Sequence, residues 1–267
     1  MSSSVVRVAV NGASGRMGQR VTALVLNDAI FELAAAIEGE QSPALGIDAG
    51  RQAGLPECGV PITARCDAPV DVVIDFSTPA GLATVARFCR EQKVPLVAAT
   101  TGLTDEQHAL ITETARVVPV VFAPSMSLSV NIAMKLAQQA ARAMKSISGG
   151  VDVEIVERHH RFKEDAPSGT ALRFGKIVAG EMGQTSEVHG RSGHPGKRPQ
   201  SEIGYHALRI GDNVGEHTVI FGILGETLEI SVRSHTRDAY ALGALAAAQF
   251  VVAQPPGLYG MAEVLDL

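Results

Sequence analysis

The chain has 267 residues, is 46% hydrophobic and carries a net charge of −5, which suits a globular protein with room for two structural units. Its acidic balance gives no electrostatic reason to expect nucleic acid, so any anionic ligand has to be met by a local cluster of positive groups. Cys58, Cys66 and Cys89 are an odd set with no metal-ligand spacing, as expected of buried thiols in a reducing compartment.

Met1 to Ser4 run straight into VVRVAV, without the charged and apolar regions of a signal peptide. The first strand is predicted at Val5 to Val10. It is followed at once by Gly12-Ala13-Ser14-Gly15-Arg16-Met17-Gly18, a G-x-x-G-x-x-G variant of the dinucleotide fingerprint, and by an amphipathic helix over Met17 to Leu26. Glycines there permit a tight turn, and the helix start aims its amides at a pyrophosphate. A glycine triplet also occurs in turns that only pack, but here a second strand, Phe31 to Ile37, ends at Glu38. That is about 20 residues further on, where a carboxylate can accept hydrogen bonds from the adenosine ribose.

Further strands are expected at Val72 to Asp75, Leu96 to Ala99 and Val118 to Phe122, with a helix over Gly81 to Gln92. Short β-branched runs alternating with helices indicate a doubly wound parallel sheet, an α/β Rossmann-like fold. Polar turns at Ser77-Thr78-Pro79 and Thr100-Thr101-Gly102 follow the strand ends, where such sheets bind ligands.

After a helix at about Leu128 to Met144, strand patterns dominate: Val151 to His160, Glu202 to Arg209, His217 to Leu224 and Thr227 to Arg233. The short connection at Gly225 and Glu226 predicts an antiparallel pair, hence a second, α+β unit. A last helix from about Asp238 and the tail to Leu267 are expected to return to the first unit. This divides the chain into a dinucleotide-binding domain, 1–127 with 238–267, and a substrate-binding domain, 128–237. The apolar stretch Ala239 to Ala253 is alanine-rich, interrupted by Gln249 and shorter than the roughly 20 residues a bilayer requires. A cytoplasmic, membrane-free protein is expected.

The densest chemistry lies between Glu157 and Thr170, ERHHRFKEDAPSGT. Strand periodicity sends His159 and His160 to opposite faces, which argues against a shared metal, and no further ligands stand at zinc spacing. Pro167 followed by Ser168-Gly169-Thr170 predicts a helix start capped by Ser168, with free amides behind it. Together with Lys163 and a histidine, it would suit a small dicarboxylate. An ordinary capped helix after a basic loop is the plainer alternative.

These segments, with VAVNGASGRMG, IDFSTP, ATTGL, FAPSMSLSVN and IGYHALRIGDNVGEHTVIF, resemble the dihydrodipicolinate reductase family over essentially the whole chain. The resemblance implies a nicotinamide-dependent reduction in lysine and diaminopimelate biosynthesis, a second domain built on a mixed sheet, and a homotetramer. It implies that Gly12, Ala13, Ser14, Gly15, Arg16 and Met17 hold the pyrophosphate and Glu38 the ribose. Ala99, Thr100 and Thr101, with Ala123, Pro124, Ser125 and Met126, would line the nicotinamide half. His159 would donate the proton with Lys163 assisting, while His160, Lys163, Ser168, Gly169 and Thr170 hold the substrate carboxylates. The chain departs from the family pattern at Ala99 and Ser129, usually glycine, and at Ser125, usually asparagine.

An imidazole that titrates near neutrality suits such a proton donor. After Glu38 comes Gly39, where some family members place arginine, and then Glu40; the Ser77 turn supplies no base either. NADH is therefore expected to be preferred over NADPH, with Arg16 as counterweight. Reduction of another cyclic imine dicarboxylate, or a nicotinamide-binding sensor without turnover, are the competing readings.

Overall fold

The computed structural model describes residues 5–267, so the reading of Met1 to Ser4 lies outside the described residues. Two compact units are formed, one by the chain up to Leu128 together with Arg237–Leu267, the other by Ser129–Thr236.

The first unit begins with β1 (Val6–Asn11), α1 (Arg16–Leu26), β2 (Phe31–Ile37), a single turn α2 (Ala49–Gln52) and the two-residue β3 (Ile62–Thr63). It continues through β4 (Val72–Asp75), α3 (Pro79–Gln92), β5 (Leu96–Ala98), α4 (Asp105–Ala115) and β6 (Pro119–Phe122). Helix α3 starts at Pro79, earlier than its apolar pattern suggests, because proline suits the first helical position and Thr78 Oγ1 accepts the Gly81 N–H at 3.2 Å. Helix α4 carries a reciprocal capping box: the Gln107 N–H donates to Thr104 Oγ1 and the Thr104 N–H to Gln107 Oε1.

The second unit opens with α5 (Leu128–Met144), all but its first residue, and β7 (Asp152–His159), then α6 (Gly169–Met182), β8 (Ser186–His189), β9 (Glu202–Arg209), β10 (Gly215–Ile223) and β11 (Glu226–Ser234). Its five strands run in the order β11-β10-β7-β9-β8. The sheet is mixed, since β7 pairs antiparallel with β10 but parallel with β9. The β10–β11 hairpin turns at Leu224-Gly225, one residue earlier than expected, because Ile223 still pairs with Glu226 and Gly225 takes the positive φ of 98°. Val130, Ala133, Ala137 and Ala141 of α5 and Phe174 and Val178 of α6 bury one sheet face against Val153, Ile155, Val219 and Phe221. Phe174 and Phe221 are fully buried, each worth roughly 1.5–3 kcal/mol of hydrophobic stabilisation.

The chain then re-enters the first unit through α7 (Asp238–Val251), β12 (Gly257–Tyr259) and α8 (Met261–Val264). Strand β12 pairs in parallel with β6 and completes a seven-stranded sheet of order β12-β6-β5-β4-β1-β2-β3. Every pairing in it is parallel, as in sheets buried on both faces. Val8 and Val10 face α1 and α7, while Ala9 faces the side covered by α3 and α4. The alanine-rich stretch is accounted for by α7, whose Ala241, Ala244, Ala247 and Ala248 are fully buried. No helix among the described residues is long and apolar enough to cross a membrane.

Candidate functional site

The strand order of the first unit reverses between β1 and β4, the switch point at which open parallel sheets take their ligands. The glycine loop crosses there. Gly12 has φ +80°, and a Cβ on it would stand 2.6 Å from the Phe76 carbonyl oxygen. A Cβ on Gly18 would run into the Gly12 carbonyl. The loop is thus built to let backbone approach backbone, and α1 begins after Gly15 with no side chain capping its amides. Free helix amides of this kind fit a pyrophosphate.

Glu38 closes the other side. Its Oε1 accepts the Ser14 N–H at 2.8 Å and the Ser14 O–H at 2.7 Å, and its Oε2 accepts the Gly39 N–H at 3.2 Å. The glycine loop and Glu38 line a groove of about 1540 Å³ with Gly39, Glu40 and Arg65. The donor set and the missing Cβ atoms fit a dinucleotide. A base that the sequence reading did not weigh beside Arg16 is Arg65, which lies in the groove with its guanidinium 3.7 Å from Glu40. It follows β3, a strand too short to be legible in the sequence.

A second feature missed by the sequence reading is Asp75, fully buried at the end of β4. Asn11 Nδ2 donates to its Oδ1 at 2.6 Å, and Ser77 Oγ does so at 2.5 Å. Thr100 Oγ1 donates to its Oδ2 at 2.5 Å. Burial raises the Asp75 pKa, while these hydrogen bonds pull it the other way. The carboxyl ties the ends of β1, β4 and β5 together and orients Thr100. Of the remaining residues expected at the nicotinamide half, Ala99, Ala123 and Met126 are buried in the core and have only backbone to offer, whereas Thr101 and Pro124 are exposed and Ser125 is half-buried.

In the second unit, Val153, Ile155, Glu157 and His159 share the buried face of β7. His160 lies just past the strand, half-buried, with a buried Nδ1 that has no hydrogen-bond partner. Glu157 is only 1% exposed. Four donors converge on it: His159 Nδ1 at 2.6 Å and Arg209 Nη1 at 2.9 Å on Oε2, the Ser168 N–H at 3.1 Å and Arg209 Nη2 at 2.9 Å on Oε1. Burial alone would raise the Glu157 pKa, but Arg209 and His159 outweigh it and hold the carboxyl below its ordinary value. His159 is pushed down by burial, with Glu157 opposing and Lys163 and Arg209 adding to the effect.

Ser168 caps α6, its Oγ accepting the Ala171 N–H at 3.2 Å. The amides of Gly169 and Thr170 in the first turn have no acceptor within the helix. Lys163 donates to both oxygens of Asp165, at 2.7 and 2.9 Å, which leaves one of its three protons uncommitted. Arg209 of β9 and His217 of β10 join this cluster without any signal in the 157–170 run. Among the described residues no group of three or more His, Cys, Asp or Glu is arranged to hold a metal.

The family model for the N-terminus of dihydrodipicolinate reductase matches residues 6–126, and that for its C-terminus residues 129–265. The chain belongs to the dihydrodipicolinate reductase family. The 4-hydroxy-tetrahydrodipicolinate reductase of Rhodopirellula baltica is 51% identical, covering 100% of this chain and 98% of that protein. Its counterpart in Dechloromonas aromatica is 45% identical over 99% of both chains. The solved structure of dipicolinate-bound dihydrodipicolinate reductase from Paenisporosarcina sp. TG-14 is similar with a TM-score of 0.78, at 26% identity, over 97% of this chain and 98% of that one. An amine dehydrogenase from Mycobacterium smegmatis, 14% identical with a TM-score of 0.63 over 95% and 94% of the two chains, shares the fold alone. Membership of this reductase family, together with the parallel sheet, implies a nicotinamide cofactor.

Proposed function

We propose that this protein reduces 4-hydroxy-tetrahydrodipicolinate to tetrahydrodipicolinate with a nicotinamide cofactor, a step of lysine and diaminopimelate biosynthesis. One observation carries the reading beyond the family: a single buried carboxylate, Glu157, holds both the His159 imidazole and the start of α6. A proton donor thereby stands beside a helix terminus suited to carboxylates.

The nicotinamide, when bound, supplies the hydride. Hydride addition to a conjugated ring leaves negative charge on neighbouring atoms, and His159 donates the proton that neutralises it. A dianionic substrate raises the pKa of the adjacent imidazole, offsetting the lowering by burial. His160, Lys163, Ser168, Gly169 and Thr170 are assigned to the substrate carboxylates. Ser168 Oγ is already engaged, so the Gly169 and Thr170 amides and Lys163 carry most of that binding. Lys163 also stabilises the developing charge.

On the cofactor side, the Gly12 to Met17 loop takes the pyrophosphate and Glu38 the ribose, with 99–101 and 123–126 at the nicotinamide. NADH is preferred over NADPH because Glu38 and Glu40 oppose a 2′-phosphate. The second unit acts as the substrate-binding and tetramerisation domain of a homotetramer. In support, its sheet leaves Leu228 and, past β9, Ile210 exposed, at 42% and 61%. The decisive assay is loss of NADH absorbance on adding the freshly made cyclic condensation product of pyruvate and aspartate semialdehyde. No turnover, with cofactor binding intact, would leave a sensor in place of an enzyme.

A further inference from the structure

An ionised carboxylate accepts hydrogen bonds and donates none. Three of the four groups on Glu157, the two Arg209 nitrogens and the Ser168 N–H, are obligate donors. The fourth, His159 Nδ1 at 2.6 Å, must then be a donor too, since Glu157 has no proton to give it. The tautomer of His159 follows from this. In the neutral ring Nδ1 carries the hydrogen and Nε2 is bare; in the imidazolium the second proton sits on Nε2.

We propose, on the reading that His159 is the proton donor, that Glu157 is its positioning residue: it binds the Nδ1–H and so dedicates Nε2 to proton transfer, with Arg209 fixing the carboxylate from β9. In the step itself the Nε2–H bond breaks, its proton bonds to the ring atom made basic by hydride addition, and the imidazolium becomes the neutral Nδ1–H ring. Water later returns a proton to Nε2. Charged and titratable groups face His159 from four directions: Glu157 on its own strand, Arg209 in register with it on β9, His217 on β10 with ring centroids 5.2 Å apart, and Lys163 in the following loop. Of these only Glu157 stabilises the imidazolium.

Glu157→Gln tests this. An amide offers one acceptor where the cluster presents donors to two oxygens, so its NH₂ turns toward one of them. Facing Nδ1 it would invert the tautomer, as in a serine protease whose buried Asp is made Asn. Expected is a kcat about 10- to 100-fold lower, less than the roughly 10²- to 10⁴-fold worth of a general acid. The alkaline limb of the kcat profile should move down by roughly one pH unit or more, the effect of losing an adjacent opposite charge. NADH affinity should change less than about threefold, and substrate KM should rise less than kcat falls, because the Ser168 N–H at the start of α6 also rests on this carboxylate. In a His159→Gln background the same substitution should lower kcat no further, since for proton transfer the two act as one unit.

His159→Gln that keeps near-native kcat would remove the underlying reading and this inference with it. A slow His159→Gln beside a Glu157→Gln with native kcat and pH limb would overturn the inference alone. So would equal losses in both backgrounds, which signal a structural role. Should Glu157→Gln not fold, ¹⁵N NMR of the wild-type ring decides: the neutral Nδ1–H tautomer is expected, and Nε2–H refutes the proposal.

Discussion

His217 stands directly opposite Glu157 across the β7–β10 ladder, and its Nε2 lies 2.9 Å from Ser168 Oγ, while Glu157 accepts the N–H of the same serine. Ser168 is thus held at both its backbone and its side chain by two buried residues of neighbouring strands. Helix α6 is aimed by the sheet, and with it the amides behind Ser168.

The buried His217 has its pKa lowered to about 4, chiefly by desolvation, with the charge of His159 adding to it. The native state therefore favours the neutral ring, and the unfolded chain binds a proton first, near pH 6.5. Stability from this group is fully present above about pH 6.5 and is lost as pH falls through about 4. Urea unfolding between pH 7.5 and 4.5 should show the decline, above the window in which Glu154, lowered to about 2, begins to contribute. His217→Gln should make it shallower, leaving the part due to His159, whose pKa is also lowered by burial, and an unchanged slope would assign the decline elsewhere.

Ser168→Ala removes the N-cap of α6 and leaves His217 Nε2 without its partner. A lost cap costs about 1 kcal/mol and an unsatisfied buried group about 1–3 kcal/mol, so a total of roughly 2–4 kcal/mol is expected from denaturant unfolding. A loss under about 0.5 kcal/mol would show that water replaces both bonds.

His159→Ala is expected to lower kcat by about 10²- to 10⁴-fold with a smaller change in substrate KM. Retention within about threefold in steady-state assays would exclude this imidazole from the chemistry.

Lys163→Ala should weaken a dicarboxylate inhibitor by roughly 1.5–3 kcal/mol, the range for hydrogen bonds to charged groups, and leave NADH affinity nearly unchanged. Asp165→Asn, which releases the ammonium from its bidentate partner, should tighten the same inhibitor. Calorimetry in which cofactor affinity falls instead would move this loop to the nucleotide side.

NADH should exceed NADPH by about 3- to 100-fold in kcat/KM, or roughly 0.7–2.7 kcal/mol. Gly39→Arg has open space, since nothing lies within 4 Å of the position a Cβ would take, and should narrow or reverse the preference. Arg65→Ala should widen it. If wild-type rates favour NADPH, Arg65 and Arg16 outweigh the two glutamates.

Much of the molecule was legible along the chain because it is encoded within a few neighbouring residues. Periodicity marked the longer strands and placed α5 at Leu128–Met144, the glycine loop announced a tight strand-to-helix turn, and Pro167-Ser168 announced the start of α6. Helix α4 escaped notice although Thr104 and Gln107 spell a capping box. Strands β3, β8 and β12 escaped for a different reason: none is part of a continuous apolar, β-branched run like those of β4, β5 and β6, and each is a strand only by pairing with β2, β9 and β6.

Glu157 was half legible, since a spacing of two on one strand puts it on the face of His159. The sequence alone therefore determined the fold class, the glycine loop and the histidine-to-threonine run. Tertiary structure alone decided that Arg209, His217 and Arg65 join those sites and that Asp75 clamps Thr100. Strand order and register are set by hydrogen bonding and burial between segments far apart in the chain, and no local pattern records them.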